Sequence, residues 1–335
     1  MKAVILAELG GPENLKIQDI DIPEPKDNEV RVKLKAAALN RRDLWVTLGL
    51  YPKIQLPCTT GSDGAGIVDK VGKNIDSNLL KNEVIIYPVL DWGDDPVANG
   101  PNFRVLGMPE QGTFAEYICV PSDNVVQKPD HLTWEEAAAI PVAGLTAWRS
   151  IVTHGEVNNS KRILITGAGG GVASFAILWG IHHGAEVYVS SSSDEKISWA
   201  QSLGVVNGVN YNNENCYKNL AREVGGFDAV VDSGGGDAMN ELLGTLKPGG
   251  RFIFFGATKM NPSQGLEMAR LFFRHIRIQG TTMGTFEEFE NMMRFVSEKK
   301  IKPMIGNILE FNEIVEAHKL MESYSQTGKI VLKYT

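Results

Sequence analysis

The pattern of apolar and polar residues divides the chain into three stretches. As far as about residue 120, short apolar or alternating runs predict strands and little helix, and residues 29–35 alternate strictly. From Trp134, with Thr133 as a predicted N-cap, helical patterns alternate with short apolar runs to about residue 256. The tail from residue 286 has two amphipathic helical patterns and a final strand predicted at residues 328–333. This order of elements predicts an α/β protein with a β-rich first part.

One stretch of the middle part has a pattern with a specific meaning. Residues 163–165 are apolar and mostly β-branched, which predicts a strand that is buried on both faces. Four glycines follow within five residues, and residues 172–181 are then apolar nearly all round, as in a buried helix. Residues 185–190 predict a second strand. Strand, glycine turn, helix and strand together form the βαβ unit of a dinucleotide-binding fold.

The glycine turn is the predicted phosphate site. Glycine adopts positive φ and lets the backbone approach a pyrophosphate closely, and the helix that follows directs its N–H groups and positive dipole end at the phosphates. A small residue is needed for helix–strand contact, and Ala173 meets that need. Glycine-rich turns are also common without a ligand, but the flanking strand and helix favour a nucleotide. The predicted contacts are Gly167, Gly169, Gly170, Gly171, Val172 and Ala173.

The end of the second strand bears on the choice of cofactor. NAD-binding folds place an acidic residue there to hold the ribose 2′-hydroxyl, whereas this chain has Ser190, Ser191 and Ser192. Serine hydroxyls and Lys196, one helical turn further on, can bind a 2′-phosphate, which predicts NADPH. Ser192 or Ser193 also fits a helix cap, with Ser192 and Glu195 as a capping box, and Asp194 offers a route to NADH.

Composition narrows the class of protein. The chain has 335 residues, enough for two domains, and 22% charged and 43% hydrophobic residues, as in globular proteins. A net charge of −7 with dispersed Lys and Arg argues against nucleic acid or an anionic membrane as partner. The three cysteines are far apart and predict no disulfide framework. We see no signal peptide or membrane-spanning run, so a cytoplasmic enzyme is expected.

Several motifs in this order resemble one family nearly from end to end. They are residues 40–43 (NRRD), 61–68 (GSDGAGIV), 112–117 (GTFAEY), 141–147 (PVAGLTA), 167–172 (GAGGGV), 246–250 (LKPGG, predicted as a turn) and 328–332 (GKIVL). The chain resembles the medium-chain dehydrogenase/reductase superfamily, and within it the zinc-free quinone oxidoreductase branch.

The resemblance implies a fold and its boundaries. It implies a GroES-like β-barrel catalytic domain at residues 1–125 and a central Rossmann domain, a doubly wound parallel sheet, at residues 126–265. Residues 266–335 would supply the last Rossmann strand and return to the catalytic domain. The apolar edge strand at residues 276–280 and the family's habit predict a homodimer. The polar residues 91–101 are expected to form a long surface loop.

The resemblance also bears on metal. Zinc members of the superfamily carry a cysteine where this chain has Asn40 and a His–acid pair where it has Ser62 and Asp63. Asn and Ser are poor zinc ligands, and no cysteine lies between Cys58 and Cys119. We therefore expect no metal, and hence no Lewis acid for ordinary alcohol oxidation.

Without a metal, hydride transfer needs an acceptor that is already electrophilic, such as a quinone or an α,β-unsaturated carbonyl. By resemblance Asn40, Asp43, Trp45 and Tyr51 flank the nicotinamide. Asn40 either donates to a substrate carbonyl or caps the helix that follows it, and both roles stay open. Asp43 is expected to accept structural hydrogen bonds, and Trp45 and Tyr51 to form pocket wall.

The remaining cofactor contacts are also implied by the resemblance. Thr146 would lie near the nicotinamide, Ser191 at the position of the missing acid, and Tyr211 beside the 2′-phosphate. Phe255, Gly256 and Ala257 follow a Rossmann strand and should flank the cofactor, although core packing also accounts for Phe255. Lys329 belongs to the site if the last strand returns to the first domain, and is otherwise a surface lysine.

Three functions are compatible with this site. The first is an NADPH-dependent reductase of small electrophilic molecules, either quinones or activated alkenes. The second is an acryloyl-type thioester reductase, which a basic groove for a carrier phosphate would favour. The third is a dinucleotide-binding redox sensor with little catalysis, because related folds host many functions.

Overall fold

The computed structural model describes residues 1–263 and 265–334. In chain order the strands are β1 (Lys2–Leu6), β2 (Leu15–Asp19), β3 (Glu29–Ala38), β4 (Asp63–Val71), β5 (Glu83–Ile86), β6 (Val89–Leu90), β7 (Arg104–Leu106), β8 (Pro109–Glu110), β9 (Tyr117–Pro121), β10 (Val125–Gln127), β11 (Arg162–Thr166), β12 (Glu186–Ser191), β13 (Asn207–Asn210), β14 (Phe227–Asp232), β15 (Leu246–Phe254), β16 (Arg277–Gly280), β17 (Ile305–Glu310) and β18 (Lys329–Lys333). The α-helices are α1 (Arg41–Thr47), α2 (Trp134–Ala139), α3 (Pro141–Trp148), α4 (Gly171–His182), α5 (Asp194–Ser202), α6 (Cys216–Val224), α7 (Ala238–Thr245), α8 (Met268–Phe273), α9 (Phe286–Lys299) and α10 (Ile314–Glu322). Residues Arg149–His154 form a π-helix.

The chain folds into two compact units. The first unit is Met1–Leu145 with Thr285–Thr335, and the second is Thr146–Gly284. Residues 126–145, which the sequence analysis assigns to the nucleotide domain, lie in the first unit because α2 packs against β3 and β4. Within the predicted segment 266–335, the last strand of the parallel sheet is β16, and the chain is back in the first unit by Thr285.

The first unit is built on a sheet in the order β10-β5-β4-β3-β18-β17, with β9 also paired to β3. The alternating residues of β3 bury Val30, Val32 and Leu34 in an apolar core with strands β4, β5 and β9. The final strand β18 runs antiparallel to β3, which confirms its predicted return to the first part of the chain. Strand β17 was not predicted, because its residues are at most half-buried.

The second unit is a parallel sheet in the order β13-β12-β11-β14-β15-β16. This is the doubly wound arrangement, in which the third, second, first, fourth, fifth and sixth strands follow one another across the sheet. The central strands β11 and β14 are almost wholly buried, and α4 is buried from Ala173 to Gly180. The predicted βαβ unit is therefore present as β11, α4 and β12.

Of the two predicted loops, residues 91–101 are a mostly exposed loop as expected, whereas residues 246–250 differ from the prediction. Residues 246–250 form the first part of β15, where a bulge separates the pair Phe227 and Leu246 from the pair Ala229 and Arg251. Gly249, with φ +77°, makes this irregularity possible. The polar residues 91–101 lie between β6 and β7, which form a small sheet with β8. Within residues 1–263 and 265–334, no helix is long and apolar enough to cross a membrane.

Candidate functional site

The predicted phosphate turn follows β11 directly. Gly167 and Gly169 have φ of +70° and +100°, which side chains with a Cβ rarely adopt. A Cβ on Gly169 would also lie 2.8 Å from the side chain of Lys196. The Ala168 N–H donates to Ser190 O at 2.9 Å, which ties the turn to the next strand. Glycine is thus required here by backbone conformation.

Helix α4 begins at Gly171 with Gly170 as its N-cap. Its first hydrogen bond runs from Ser174 N–H to Gly170 O at 2.9 Å. The N–H groups of Gly171, Val172 and Ala173 come before that bond and have no acceptor inside the helix. With the positive end of the helix dipole they form an arrangement that binds phosphate groups.

Asp232, at the end of β14, was not singled out from the sequence. Its buried carboxylate accepts hydrogen bonds from the Thr166 hydroxyl and from the N–H groups of Gly234 and Gly235, at 3.1 and 2.7 Å. It therefore fixes a second glycine loop beside the end of β11. The signal in the sequence is an aspartate that ends an apolar run and is followed, after Ser233, by three glycines.

The segment after β15 lies at the carboxyl end of the sheet, as predicted. The N–H of Phe255 donates to Asp232 O at 3.1 Å, and a Cβ on Gly256 would lie 3.1 Å from Ser233 O. Phe255 is half-buried, and Ala257 is exposed. The carboxyl ends of such strands are where ligands bind in this kind of sheet.

The serines at the end of β12 divide into buried and exposed. Ser190 is fully buried, and its hydroxyl shares a hydrogen bond of 3.0 Å with the Tyr217 hydroxyl, so it has an internal role in place of the predicted cofactor contact. Ser191 is buried and accepts from Ser193 N–H at 3.2 Å, whereas Ser192 is exposed. Because strand side chains alternate between faces, three consecutive serines cannot all face one ligand.

Ser193 caps α5 by accepting from Lys196 N–H at 3.3 Å, so the predicted capping box of Ser192 and Glu195 does not form. Asp194, the residue that offered a route to NADH, is exposed and accepts from the Asn210 amide at 2.9 Å. This hydrogen bond holds the Asp194 carboxylate against the end of β13.

Two lysines lie near this edge. The stem of Lys196 passes over Gly169, and burial lowers the pKa of its ammonium group from the usual value. An anion bound beside Lys196 would offset that desolvation. The ammonium of Lys259, which was not predicted, lies 4.5 Å from the ring centroid of Tyr211. The N–H of Tyr211 donates to Ser191 O at 3.0 Å, which places this pair at the end of β12.

Thr146 begins the second unit and is buried. Its hydroxyl accepts a hydrogen bond of 3.2 Å from Met283 N–H, and its carbonyl accepts one of 2.7 Å from the Ser150 hydroxyl. Both partners belong to the second unit, and these hydrogen bonds hold Thr146 within that unit. The predicted contact of Thr146 with the nicotinamide stays a prediction.

The first unit contains a buried polar cluster around Asp63, at the start of β4. One oxygen of this wholly buried carboxylate accepts from Val142 N–H at 2.7 Å. The other accepts from the Asn40 amide at 2.9 Å and from the Lys329 ammonium at 2.8 Å. The cluster joins β4, the start of α1, the start of α3 and β18.

Lys329 has no ammonium hydrogen left for a ligand. Its Nζ donates to Leu39 O at 2.8 Å, to Asn40 Oδ1 at 2.7 Å and to Asp63, and an ammonium has three donors. The sequence placed Lys329 in the cofactor site on the condition that the last strand returns to the first part of the chain. The strand does return, but these contacts give the ammonium an internal role. Asn40 is the N-cap of α1; its amide oxygen accepts from Lys329 and one of its two amide hydrogens is donated to Asp63. Its predicted hydrogen bond to a substrate carbonyl stays a prediction.

Asp43, in the first turn of α1, accepts hydrogen bonds as predicted. Its carboxylate receives the N–H groups of Asn40 at 2.8 Å and Gly61 at 3.2 Å. The side chain is wholly buried, and this burial raises the pKa of Asp43 to about 6. Trp45, also on α1, is half-buried.

Arg42 was not singled out from the sequence, yet its guanidinium is the second buried cation of this region. Nη1 donates to the Ser62 hydroxyl and to Leu106 O at 2.8 Å, and Nη2 to Met108 O at 3.2 Å. The guanidinium carbon lies 4.8 Å from the ring centroid of Tyr51, which is half-buried. The available signal was an arginine four residues before the apolar Val46 on one face of a short helix.

Comparison with known proteins identifies the family. Residues 26–130 match the family described as alcohol dehydrogenase GroES-like domain, and residues 171–298 match the family described as zinc-binding dehydrogenase. The zinc-type alcohol dehydrogenase-like protein YogA of Leptosphaeria maculans is 36% identical over 333 residues, covering 94% of this chain and 92% of the relative. The chain belongs to the medium-chain dehydrogenase/reductase superfamily.

Other members of the superfamily differ in their named activities. A solved structure described as an NAD-dependent alcohol dehydrogenase superposes with a TM-score of 0.94 at 37% identity, and covers 100% of each chain. The acryloyl-coenzyme A reductase of Sulfurisphaera tokodaii is 27% identical over 347 residues, covering 99% of this chain and 100% of the relative. These similarities establish an α/β oxidoreductase fold with a GroES-like domain and a Rossmann-like domain.

The superfamily includes zinc enzymes, so the question is whether the side chains at the corresponding positions of this chain could bind a zinc ion. In the described ranges, no three His, Cys, Asp or Glu residues are placed to hold a metal ion. At the positions implied for zinc, the Asn40 oxygen accepts from Lys329, the Ser62 hydroxyl accepts from Arg42, and Asp63 accepts three hydrogen bonds. Amide and hydroxyl groups already bonded to cations do not fit the nitrogen and thiolate ligands that zinc prefers.

Proposed function

We propose that this protein is a zinc-independent, NADPH-dependent oxidoreductase that transfers hydride to a quinone or an α,β-unsaturated carbonyl compound. The observation that carries the proposal is the buried cluster in which Lys329 and Arg42 bind Asn40, Asp63 and Ser62. Two protein cations already hold the groups that a catalytic metal would need. An alcohol is a poor hydride donor without a Lewis acid, whereas an electrophilic alkene or quinone accepts hydride without one.

The bound nicotinamide would supply the hydride, and the chain supplies binding and orientation. The N–H groups at the start of α4 would hold the pyrophosphate. Gly167 and Gly169 would let the backbone approach it, because their positive φ turns the chain sharply beneath the helix.

The preference for NADPH is supported by charge. No carboxylate follows β12 at the position where NAD enzymes hold the 2′-hydroxyl, and Asp194 is bonded to Asn210. Lys196, Lys259 and Tyr211 lie around the same edge. A 2′-phosphate there would gain charge-assisted hydrogen bonds from both lysines.

The cofactor test compares kcat/KM for NADPH and NADH in the wild type and in Ser191→Asp, Lys196→Ala and Lys259→Ala. Each lysine substitution should lower kcat/KM for NADPH by roughly 10- to 100-fold, the value of one charge-assisted hydrogen bond, and leave NADH nearly unchanged. Lys218→Ala, at an exposed position of α6, is the matched control. A wild type that prefers NADH, or substitutions that leave the preference unchanged, would refute this assignment.

The substrate test is a screen of NADPH oxidation against quinones, enones, aldehydes and acryloyl thioesters. Turnover of quinones or enones is the expected result. Selective turnover of acryloyl thioesters would favour the thioester reductase, the activity for which the Sulfurisphaera tokodaii relative is named. Tight NADPH binding without turnover of any acceptor would favour a redox sensor instead.

A further inference from the structure

Arg42 is a buried cation without a carboxylate as hydrogen-bond partner. It is 7% exposed, and its hydrogen-bond acceptors are two carbonyls and two hydroxyls, all neutral, within the part of the chain that the structure describes. The buried Asp43 carboxylate attracts this charge but accepts none of its hydrogen bonds, so the guanidinium donors stay directed at neutral groups, which bind a charge less strongly than an anion does. Such groups are therefore candidates for binding an anion or a developing negative charge.

The position of Arg42 on its helix is also unfavourable for a positive charge. Arg42 is the second residue of α1, and the positive end of a helix dipole disfavours cations there. The neighbouring Arg41 meets the same dipole but is only half-buried, and its guanidinium donates to Met321 O at 2.7 Å and stacks on Tyr324 at 4.0 Å. The two arginines thus form a matched pair on one helix turn, and Arg42 is the buried member.

The donor count leaves hydrogen bonds to offer. A guanidinium has five N–H groups, of which two on Nη1 and one on Nη2 have the partners named above. The fourth, on Nε, reaches the Tyr51 hydroxyl only at 3.4 Å. Within the described residues, one Nη2 hydrogen and the hydroxyl hydrogen of Tyr51 have no acceptor. A charged donor and a hydroxyl donor on neighbouring side chains are the elements of an oxyanion hole.

We propose that Arg42, supported by Tyr51, binds the carbonyl oxygen of the hydride acceptor and stabilises the negative charge that develops on it. This inference rests on the proposed function, because it assigns the oxygen-binding group of that reaction. Arg42 would supply through hydrogen bonds the polarisation that a Lewis acid supplies in a zinc enzyme. The Tyr51 ring lies 4.8 Å from the guanidinium carbon, a cation–π contact, and its hydroxyl adds one donor.

The step balances for an enone. A hydride from NADPH forms a C–H bond at the β-carbon, and the electron pair of the alkene moves so that the carbonyl oxygen becomes an enolate oxygen. Arg42 holds this oxygen while the α-carbon takes one proton from water. The products are the saturated ketone, NADP⁺ and the hydroxide left by that water, so the enone is reduced by two electrons and the cofactor is oxidised by two.

The test uses substituted phenols as mimics of the enolate oxygen, since bound phenol and bound phenolate have different ultraviolet spectra. The full-length protein, with and without NADP⁺, is titrated at a pH where the phenol is half ionised in solution. Wild type should bind the phenolate in preference to the phenol. Arg42→Met should lower phenolate affinity by roughly 10- to 100-fold and change phenol affinity little. The phenolate affinity of Arg42→Lys should lie between those of the wild type and Arg42→Met, because lysine keeps the positive charge but lacks the planar guanidinium.

Arg41→Met is the control and should retain the phenolate preference. If Arg42 had only a structural role, Arg42→Met would lower the affinities for phenol and phenolate equally, and that result would overturn the inference. If Arg42→Met does not fold, the test uses the wild type and Arg42→Lys. A wild type that binds the neutral phenol in preference to the phenolate would also overturn the inference. Phenol binding requires no turnover, so an inactive protein that still selects phenolate would contradict the proposed function and leave the anion site intact.

Discussion

Replacement of Lys329 by methionine tests the buried cluster most directly. Methionine matches the length of the lysine stem but removes the ammonium that donates to Leu39, Asn40 and Asp63. Asp63 then keeps only the Asn40 amide and the Val142 N–H as donors, with no exposure to water. The substitution therefore leaves a buried carboxylate without its counter-ion.

The expected cost follows from that burial. Removing one partner of a buried ion pair destabilises proteins by about 3–5 kcal/mol, because the remaining charge is neither hydrated nor paired. For a folding unit of 150–250 residues, each kcal/mol lowers Tm by about 2–4 °C, so we expect a drop of roughly 6–20 °C. Lys333→Met is the control on the same strand, since Lys333 pairs with Glu310 at the surface and such pairs are worth about 0–1 kcal/mol.

Calorimetry of Lys329→Met, Asp63→Asn and the double variant measures the effect and its cause. The double variant should be more stable than the sum of the single changes predicts, because a neutral amide in place of the Asp63 carboxylate leaves no buried charge without a partner. Loss of less than about 1 kcal/mol in Lys329→Met, or simple additivity in the double variant, would refute the ion-pair argument.

Three further predictions concern metal, assembly and pH. Purified protein should contain no stoichiometric zinc by elemental analysis and keep its activity after chelation, and one tightly held zinc per chain would contradict this. The chain should sediment as a homodimer through the edge strand β16, which β15 pairs on one side, and a monomer at working concentration would count against it. Burial raises the pKa of Asp43 to about 6 in the folded protein, so the folded state holds a proton that the unfolded state has lost. The unfolding free energy of the wild type relative to Asp43→Asn, measured by urea titration, should therefore fall as pH rises from about 4 to about 6 and stay constant at higher pH. The expected decrease is on the order of 3 kcal/mol. If the stabilities of the two proteins depend on pH in the same way, Asp43 does not titrate in this range.

Local patterns predicted the parts of the fold that local physics determines. The run at residues 163–165, the glycines and the apolar helix correspond to β11, the phosphate turn and α4, because burial on both faces and positive φ leave a direct mark on composition. Thr133 caps α2 as predicted, through a reciprocal bond with Glu136. Such signals lie within a few residues of one another in the chain.

Local sequence patterns could not predict which residues form the buried cluster. Lys329 meets Asn40 across 289 residues of sequence, and Arg42 meets Met108 across 66. No periodicity distinguishes a lysine that enters a core from one that faces water, so the sequence left Lys329 open and passed over Arg42. Ser190 was misplaced for a related reason: its partner Tyr217 lies on α6, and residue type alone does not show which face of a strand points at a ligand.

The charges of the cluster argue against a metal more strongly than the ligand types do. Asp43 and Asp63 are buried together with Lys329 and Arg42, two anions with two cations, so the region is close to neutral when all four groups are ionised. A zinc ion would add two positive charges, while the Asn40 and Ser62 side chains add no negative charge to meet them. A metal-binding relative with cysteine at position 40 gains a thiolate at that point, and its ligand set can then balance the ion. In this chain the charge balance is closed by Lys329 and Arg42, and of the two only Arg42 retains a donor for a substrate oxygen, since all three hydrogens of Lys329 are bonded within the cluster.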